Sequence, residues 1–193
     1  MMKAYAHFFT IVLSLLAAIA PSSRGEQPQV ATDAAAEAKK PEPAEWGSTA
    51  RLHRLGGLFF ASQPAAEDFA QARKDGVKTV INLRRPEEMT GFNEAEVVEG
   101  LGMKYISLPW NGPEELTDEV FDKSRELLKT AERPILLHCS SSNRVGAVWL
   151  PYRVLDEGAG LDEAVAEAKV VGLRTPAYET KARDYIERHR AEP

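Results

Sequence analysis

The chain has 193 residues, enough for one well-packed domain with extensions and short for two. It is 44% hydrophobic and 27% charged, the balance of a soluble globular protein. A formal net charge of -5, without any Lys/Arg block, argues against a nucleic-acid partner, so any anion site must be local and built from a few residues.

Lys3 precedes a short apolar run, "FFTIVLSLLAAIA" at 8–20, followed by small residues. This pattern predicts a signal peptide over 1–25 and an exported, periplasmic or secreted protein with no stable membrane span after its removal. Pro21 disfavours cleavage after Ala20, and the Ser23/Gly25 pair favours cleavage after Gly25. Residues 26–48 are rich in Ala, Glu, Lys and Pro and read as a flexible linker, which leaves 49–193 as the domain.

From about residue 50 the chain alternates between strand-like and helix-like segments. "GLFFAS" (57–62) is an apolar strand. Residues 63–76 are a helix opened by Pro64 and closed by Gly76. "VKTVINL" (77–83) is a buried strand, and a loop begins at Arg84. A helix over 93–102 has Asn93 as N-cap. "MKYISLP" (103–109) is a third strand, and Trp110 starts the next loop. Residues 117–132 form an amphipathic helix capped by Thr117, and "PILLHC" (134–139) is a fourth strand. Helices over about 144–156, 161–171 and 176–190 complete the chain, the first of them expected to kink at Pro151. This alternation implies an α/β fold with a parallel central sheet of about four to five strands flanked by helices. Ligands bind such sheets at the carboxyl ends of the strands. That edge collects the loops beginning at Arg84, Trp110 and Cys139.

The segment "ILLHCSSSNRVGAVW" (135–149) carries the only cysteine. It reads as a strand, a small polar turn and a helix. First-turn amides and the helix dipole make an anion site there, and a thiol placed in such a site is activated as a thiolate. Arg144 adds a planar fork of donors for an oxyanion. The backbone and side chains of Ser140, Ser141, Ser142 and Asn143 would complete the cradle. Alternation along the strand turns His138 away from Cys139, which assigns it to orienting the loop. The competing reading is a strand-end cysteine packed inertly against a helix. Asn82 and Asn143 are candidates to hydrogen-bond loop carbonyls, and Arg84 and Arg85 are candidates to contact a second phosphate or an acidic substrate, Arg84 being favoured by the Asn-Leu-Arg run, with pairing to Glu87 or Glu88 as the alternative. Trp110 reads as a core cap, with a pocket wall as its alternative, and Trp149 reads as core. A single cysteine and four scattered histidines offer no metal spacing, so no metal or cofactor is expected.

The strand–Cys–polar loop–Arg–helix arrangement resembles the cysteine phosphatase superfamily. More closely, "GLFFASQPAAEDFAQARKDGVKTVINLRRPEE", "GMKYISLP" and "ILLHCSSSNRVGAVW" resemble the beta-lactamase-hydrolase-like, phosphatase-like family, over about 57–175. The resemblance implies a dual-specificity-phosphatase-like fold. It makes Cys139 the nucleophile, Arg144 the phosphate-binding arginine, and a phosphate-containing protein or small molecule the substrate. This chain departs from the phosphatase pattern in three ways. Its loop is one residue shorter, Ser142 stands where glycine is usual, and no carboxylate stands near Gly112, where the general acid of dual-specificity phosphatases would fall. Glu114, Glu115 and Asp118 are the possible substitutes. The four-residue spacing from Cys139 to Arg144 is also that of rhodanese-type sulfurtransferases, which carry a persulfide on the cysteine. A weak or silent anion- or protein-binding module is the third reading.

Overall fold

The computed structural model describes Met2 and residues 40–190. The expected signal peptide, Met2 apart, and linker residues 26–39 lie outside the described residues. The fold contains β1 (Glu42–Pro43), β2 (His53–Leu55), β3 (Leu58–Ala61), α1 (Asp68–Lys74), β4 (Thr79–Asn82), α2 (Glu94–Gly100), β5 (Lys104–Ser107), α3 (Asp118–Thr130), β6 (Ile135–His138), α4 (Asn143–Leu155), α5 (Leu161–Val171) and α6 (Pro176–His189). The six strands form one sheet in the order β1-β2-β3-β6-β4-β5. β3, β6, β4 and β5 run parallel, and β1 and β2 add an antiparallel edge.

The inner parallel strands β3, β6 and β4 are buried on both faces because helices cover both, whereas the edge strand β5 is half-exposed. Leu58, Phe60, Ile81, Leu83, Ile135, Leu137 and Cys139 point into a core shared with α3, α4, α5 and α6. Phe59, Ala61, Val80 and Leu136 point the other way, toward Phe69 and Ala72 of α1 and Val98 of α2. Period-two alternation thus places Cys139 and His138 on opposite faces. α4 is buried almost all round, and Trp149 lies fully inside, its ring 5.0 Å from that of Phe60. Truncating either ring would cost about 3–5 kcal/mol. The helix assignment runs through Pro151 to Leu155.

Two boundaries differ from the sequence-based expectation. Residues 42–48, placed in the linker by composition, belong to the fold. Trp46 is buried, stacks on Phe59 with ring centres 4.8 Å apart, and donates its indole N–H to Asp75 at 2.6 Å. The helix expected from Pro64 begins only at Asp68. The Asp68 carboxylate accepts from the hydroxyls of Ser48 (3.2 Å) and Thr49 (2.7 Å), so this acidic residue ties down the incoming chain. Of the two expected N-caps, Asn93 accepts from the Glu96 amide at 3.4 Å, whereas the Thr117 side chain makes no capping bond.

Candidate active site

The loop after β6 is pinned from two sides. On one side, the Cys139 amide donates to the Ala61 carbonyl and the Gln63 amide donates to the Ser140 carbonyl, both at 3.4 Å. On the other, Asn143 Oδ1 accepts from the backbone amides of Arg174 (2.8 Å) and Thr175 (3.2 Å), and its Nδ2 donates to the Thr175 hydroxyl at 2.7 Å. Ser142 carries the tight turn into α4 with φ 64°, and its side chain is fully buried. A left-handed conformation costs an L-residue roughly 1–2 kcal/mol, which is why glycine suits this position. The backbone at Gly172 packs so closely on this turn that a Cβ built there would lie 2.9 Å from the Ser142 Cβ.

Cys139 is 1% exposed at the floor of this loop. Arg144 projects from the first turn of α4, and its Nη1 donates to the carbonyls of Leu83 (3.1 Å) and Trp110 (2.7 Å), so it bridges the ends of β4, β5 and β6. Glu88 closes the far end of the guanidinium, with contacts of 2.8 Å from Nη1 and 2.6 Å from Nη2. Nη2 also reaches the Ser140 hydroxyl at 3.1 Å. The bidentate bond to Arg144 pulls the Glu88 carboxyl down to about 2 from its ordinary 4.5, against the opposing effect of burial; the Arg85 amide and the Ser140 hydroxyl add to the pull. Nη2 thus faces both Glu88 and the loop residue Ser140.

Beneath the loop lies a second polar chain. His138 Nε2 donates to Glu94 Oε1 at 2.8 Å, with both side chains buried. Burial pushes the Glu94 carboxyl up, but the His138 ring and the Gln63 amide outweigh it and hold the group below its usual range. Gln63 Nε2 donates to Glu94 Oε2 at 2.6 Å, and Gln63 Oε1 accepts from Arg84 Nη1 at 2.5 Å. Arg84 Nη2 then donates to the Glu88 carbonyl. One polar chain therefore runs from His138 through Glu94, Gln63 and Arg84 to the backbone of Glu88.

This arrangement is a thiol, an arginine fork and a polar loop at the carboxyl edge of a parallel sheet. A model of the family described as beta-lactamase hydrolase-like protein, phosphatase-like domain, matches residues 56–156. The chain belongs to this family. It is a phosphatase-like hydrolase, with Cys139 and Arg144 inside the matched segment. Solved structures share the fold. P. aeruginosa TpbA superposes with a TM-score of 0.60 at 23% identity, covering 79% of this chain and 91% of its own. The same protein, as a cysteine-to-serine variant in complex with phosphotyrosine, gives 0.59 at 22% identity, with coverage of 76% and 88%. The Siw14 catalytic core gives 0.60 at 20% identity, covering 75% of this chain and 88% of its own. No curated protein matches the sequence.

The expected site residues divide on inspection. Cys139, Ser140, Ser141, Ser142, Asn143 and Arg144 form the loop, and His138 and Arg84 lie beneath and beside it. Asn82 and Asn143 do not hold loop carbonyls. Asn82 Oδ1 accepts from the Arg84 amide (2.7 Å) and its Nδ2 donates to the Tyr105 hydroxyl (3.0 Å), while Asn143 works on the 174–175 amides. Asp118 is drawn away from the site into a bidentate pair with Arg188, at 2.6 and 2.8 Å. Glu114 is exposed. Glu115 accepts from the Asn111 amide at 2.6 Å and pairs with Arg85 at 3.0 Å, which keeps it beside the loop that carries Glu88. Glu94 and Arg174 are not singled out from the sequence, and Glu88 stands there only as a loop partner for the arginines after β4. Glu88 could have been found as the acidic residue just beyond a strand's carboxyl end, but Glu94 and Arg174 carry no local signal. Among the described residues no three His, Cys, Asp or Glu side chains converge as a metal cluster, and no helix is long and apolar enough to cross a membrane.

Proposed function

We propose that this protein is an exported cysteine-dependent phosphatase that hydrolyses a phosphomonoester through a cysteinyl-phosphate on Cys139. The observation that carries the reading is the Arg144 guanidinium, fixed beside the Cys139 loop by Glu88 and by the carbonyls of Leu83 and Trp110. A guanidinium fixed in this way is a preorganised positive charge beside the loop, and a tetrahedral anion bound there takes the place of the Ser140 hydroxyl on Nη2. The phosphotyrosine bound by the TpbA variant on the same fold supports a phosphomonoester as ligand. The apolar run at 8–20 after Lys3 supports export.

In this mechanism the Cys139 thiolate attacks phosphorus. A P–S bond forms as the P–O bond to the leaving group breaks, and Arg144 with the loop amides stabilises the equatorial oxygens. The departing oxygen takes a proton from Glu115 in its neutral form, released from Arg85. The Glu115–Arg85 pair is exposed at 44% and 35%, so it opens at little cost. Water then attacks phosphorus and passes a proton to the Glu115 carboxylate, the P–S bond breaks, and inorganic phosphate and the thiolate are released. The test is hydrolysis of 4-nitrophenyl phosphate by the wild-type protein beside Cys139→Ser. Turnover by wild type alone supports the mechanism. No turnover by either folded protein contradicts it, and thiosulfate-dependent thiocyanate formation from cyanide would replace it with sulfur transfer.

A further inference from the structure

Four arginines surround the loop, and three are occupied. Arg144 is bound by Glu88, and Arg85 is paired with Glu87 at 2.9 Å and with Glu115 at 3.0 Å. Arg84 is half-buried and tethered to Gln63 and to the Glu88 carbonyl. Arg174 is different. It is exposed, it stands in the segment between α5 and α6, and no carboxylate pairs with it among the described residues.

Its position is nevertheless fixed. Asn143 holds its backbone amide at 2.8 Å. Its Nη1 donates to the carbonyls of Ser141 (3.1 Å) and Gly172 (3.2 Å), and its Nη2 donates to the Ser141 hydroxyl at 2.5 Å. A guanidinium has five N–H donors, so these three bonds leave two of them without a protein partner. A solvated surface arginine has no reason to spend rotamer freedom on neutral acceptors of an anion-binding loop. An arginine that keeps its charge and two donors, anchored two residues along from the nucleophile, is prepared for an oxyanion.

We propose that Arg174 forms a second anion subsite, and that the preferred substrate carries a second phosphate beside the scissile one. The inference rests on the phosphatase reading of Cys139 and names its substrate class. Charge balance agrees with it. Because Glu88 offsets Arg144, the cradle alone has little surplus positive charge for a ligand bearing two phosphates, and Arg174 supplies it.

The test measures binding rather than turnover, so its outcome is separate from that of the catalytic reading. Full-length Cys139→Ser protein is titrated calorimetrically with bisphosphates of ethanediol through hexanediol and with the matching monophosphates. The same ladder is repeated with Arg174→Gln and Arg174→Lys added. The expected result is one spacing at which the bisphosphate binds about 10-fold tighter than its monophosphate, a gain of the size of one charge-assisted contact. Arg174→Gln should bring that ratio to about one, and Arg174→Lys should keep part of it. Equal binding of both series to the parent protein, or a ratio unchanged by Arg174→Gln, would overturn the subsite. If wild type hydrolyses aryl phosphate while the ratio is one, the phosphatase reading stands and the second-phosphate inference falls. If wild type is inactive but the ratio falls with Arg174→Gln, the subsite stands on a protein that binds without turnover.

Discussion

Glu88 grips Arg144 end-on, one carboxylate oxygen to each terminal nitrogen, at 2.8 and 2.6 Å. The two residues are 56 positions apart and come together only because β4 and β6 are neighbours in the sheet. The pair has a pH signature. The folded-state carboxyl sits at about 2 instead of its ordinary 4.5. A depressed carboxyl contributes stability that is fully present above the ordinary value and is lost as pH falls through the depressed one. Glu88→Gln should therefore lower stability by about 1.5–3 kcal/mol at neutral pH, the range for a hydrogen bond to a charged group. Denaturant titrations of both proteins should converge as pH drops from about 4.5 toward about 2. The same substitution should lower kcat/KM on aryl phosphate by about 10²-fold through misplacement of Arg144. A gap in stability that persists at the acid end would show that Glu88 acts through packing rather than charge.

The buried pair of Glu94 and His138 makes a different prediction. Both side chains are essentially inaccessible, at 1% and 0%. Removing one partner strands the other, so Glu94→Ala should cost about 3–5 kcal/mol, read from the denaturation midpoint. Replacing both, as Glu94→Leu with His138→Phe, should recover much of the loss, because an apolar pair of similar volume meets no desolvation penalty. If the double variant is no more stable than the single, the cost lies in packing against Phe69, whose ring meets the His138 ring edge-on at 6.2 Å.

Ser142 and Gly172 press against each other at the turn into α4, and substitutions at the two should have opposite signs. Ser142→Gly relieves the left-handed backbone and removes a buried hydroxyl without a partner, and should raise stability by about 1 kcal/mol. Gly172→Ala drives a methyl to 2.9 Å from the Ser142 Cβ at φ 142°, and should lower stability by about 1–3 kcal/mol. Thermal melts of the two variants check both directions.

Much of this fold was legible in the chain. The four apolar runs became the parallel strands, and Cys139 stands just past the end of β6 on the same face as Leu137, two residues before it. The misses share one physical cause. Trp46 lies in a polar, Pro-rich stretch, and only Phe59 and Asp75, both distant in sequence, make it part of the core. Asp68 resembles an ordinary first-turn acid, yet it serves Ser48 and Thr49. Arg174 sits 30 positions beyond Arg144 in a helix connection with no periodic pattern, and Asn143 brings it to the loop. Local pattern specifies elements, whereas long-range polar partners depend on topology that one sequence does not spell out.

Glu115 is the proposed proton donor, and its signature depends on the leaving group. Glu115→Gln should reduce kcat by about 10²–10⁴-fold on an alkyl phosphate, whose oxygen needs a proton, and much less on 4-nitrophenyl phosphate. Equal losses on both would place Glu115 in loop support through Arg85.

The central claim is a phosphate carried on the Cys139 sulfur. The most direct measurement is a rapid acid quench of wild-type protein turning over 4-nitrophenyl phosphate, followed by peptide mass spectrometry. The account predicts a phosphate adduct on the peptide that contains Cys139, absent from Cys139→Ser and accumulating in Glu115→Gln, which lacks the base for hydrolysis of the P–S bond. Turnover with an unmodified Cys139 peptide at every quench time, or a persulfide in place of the phosphate, would contradict it.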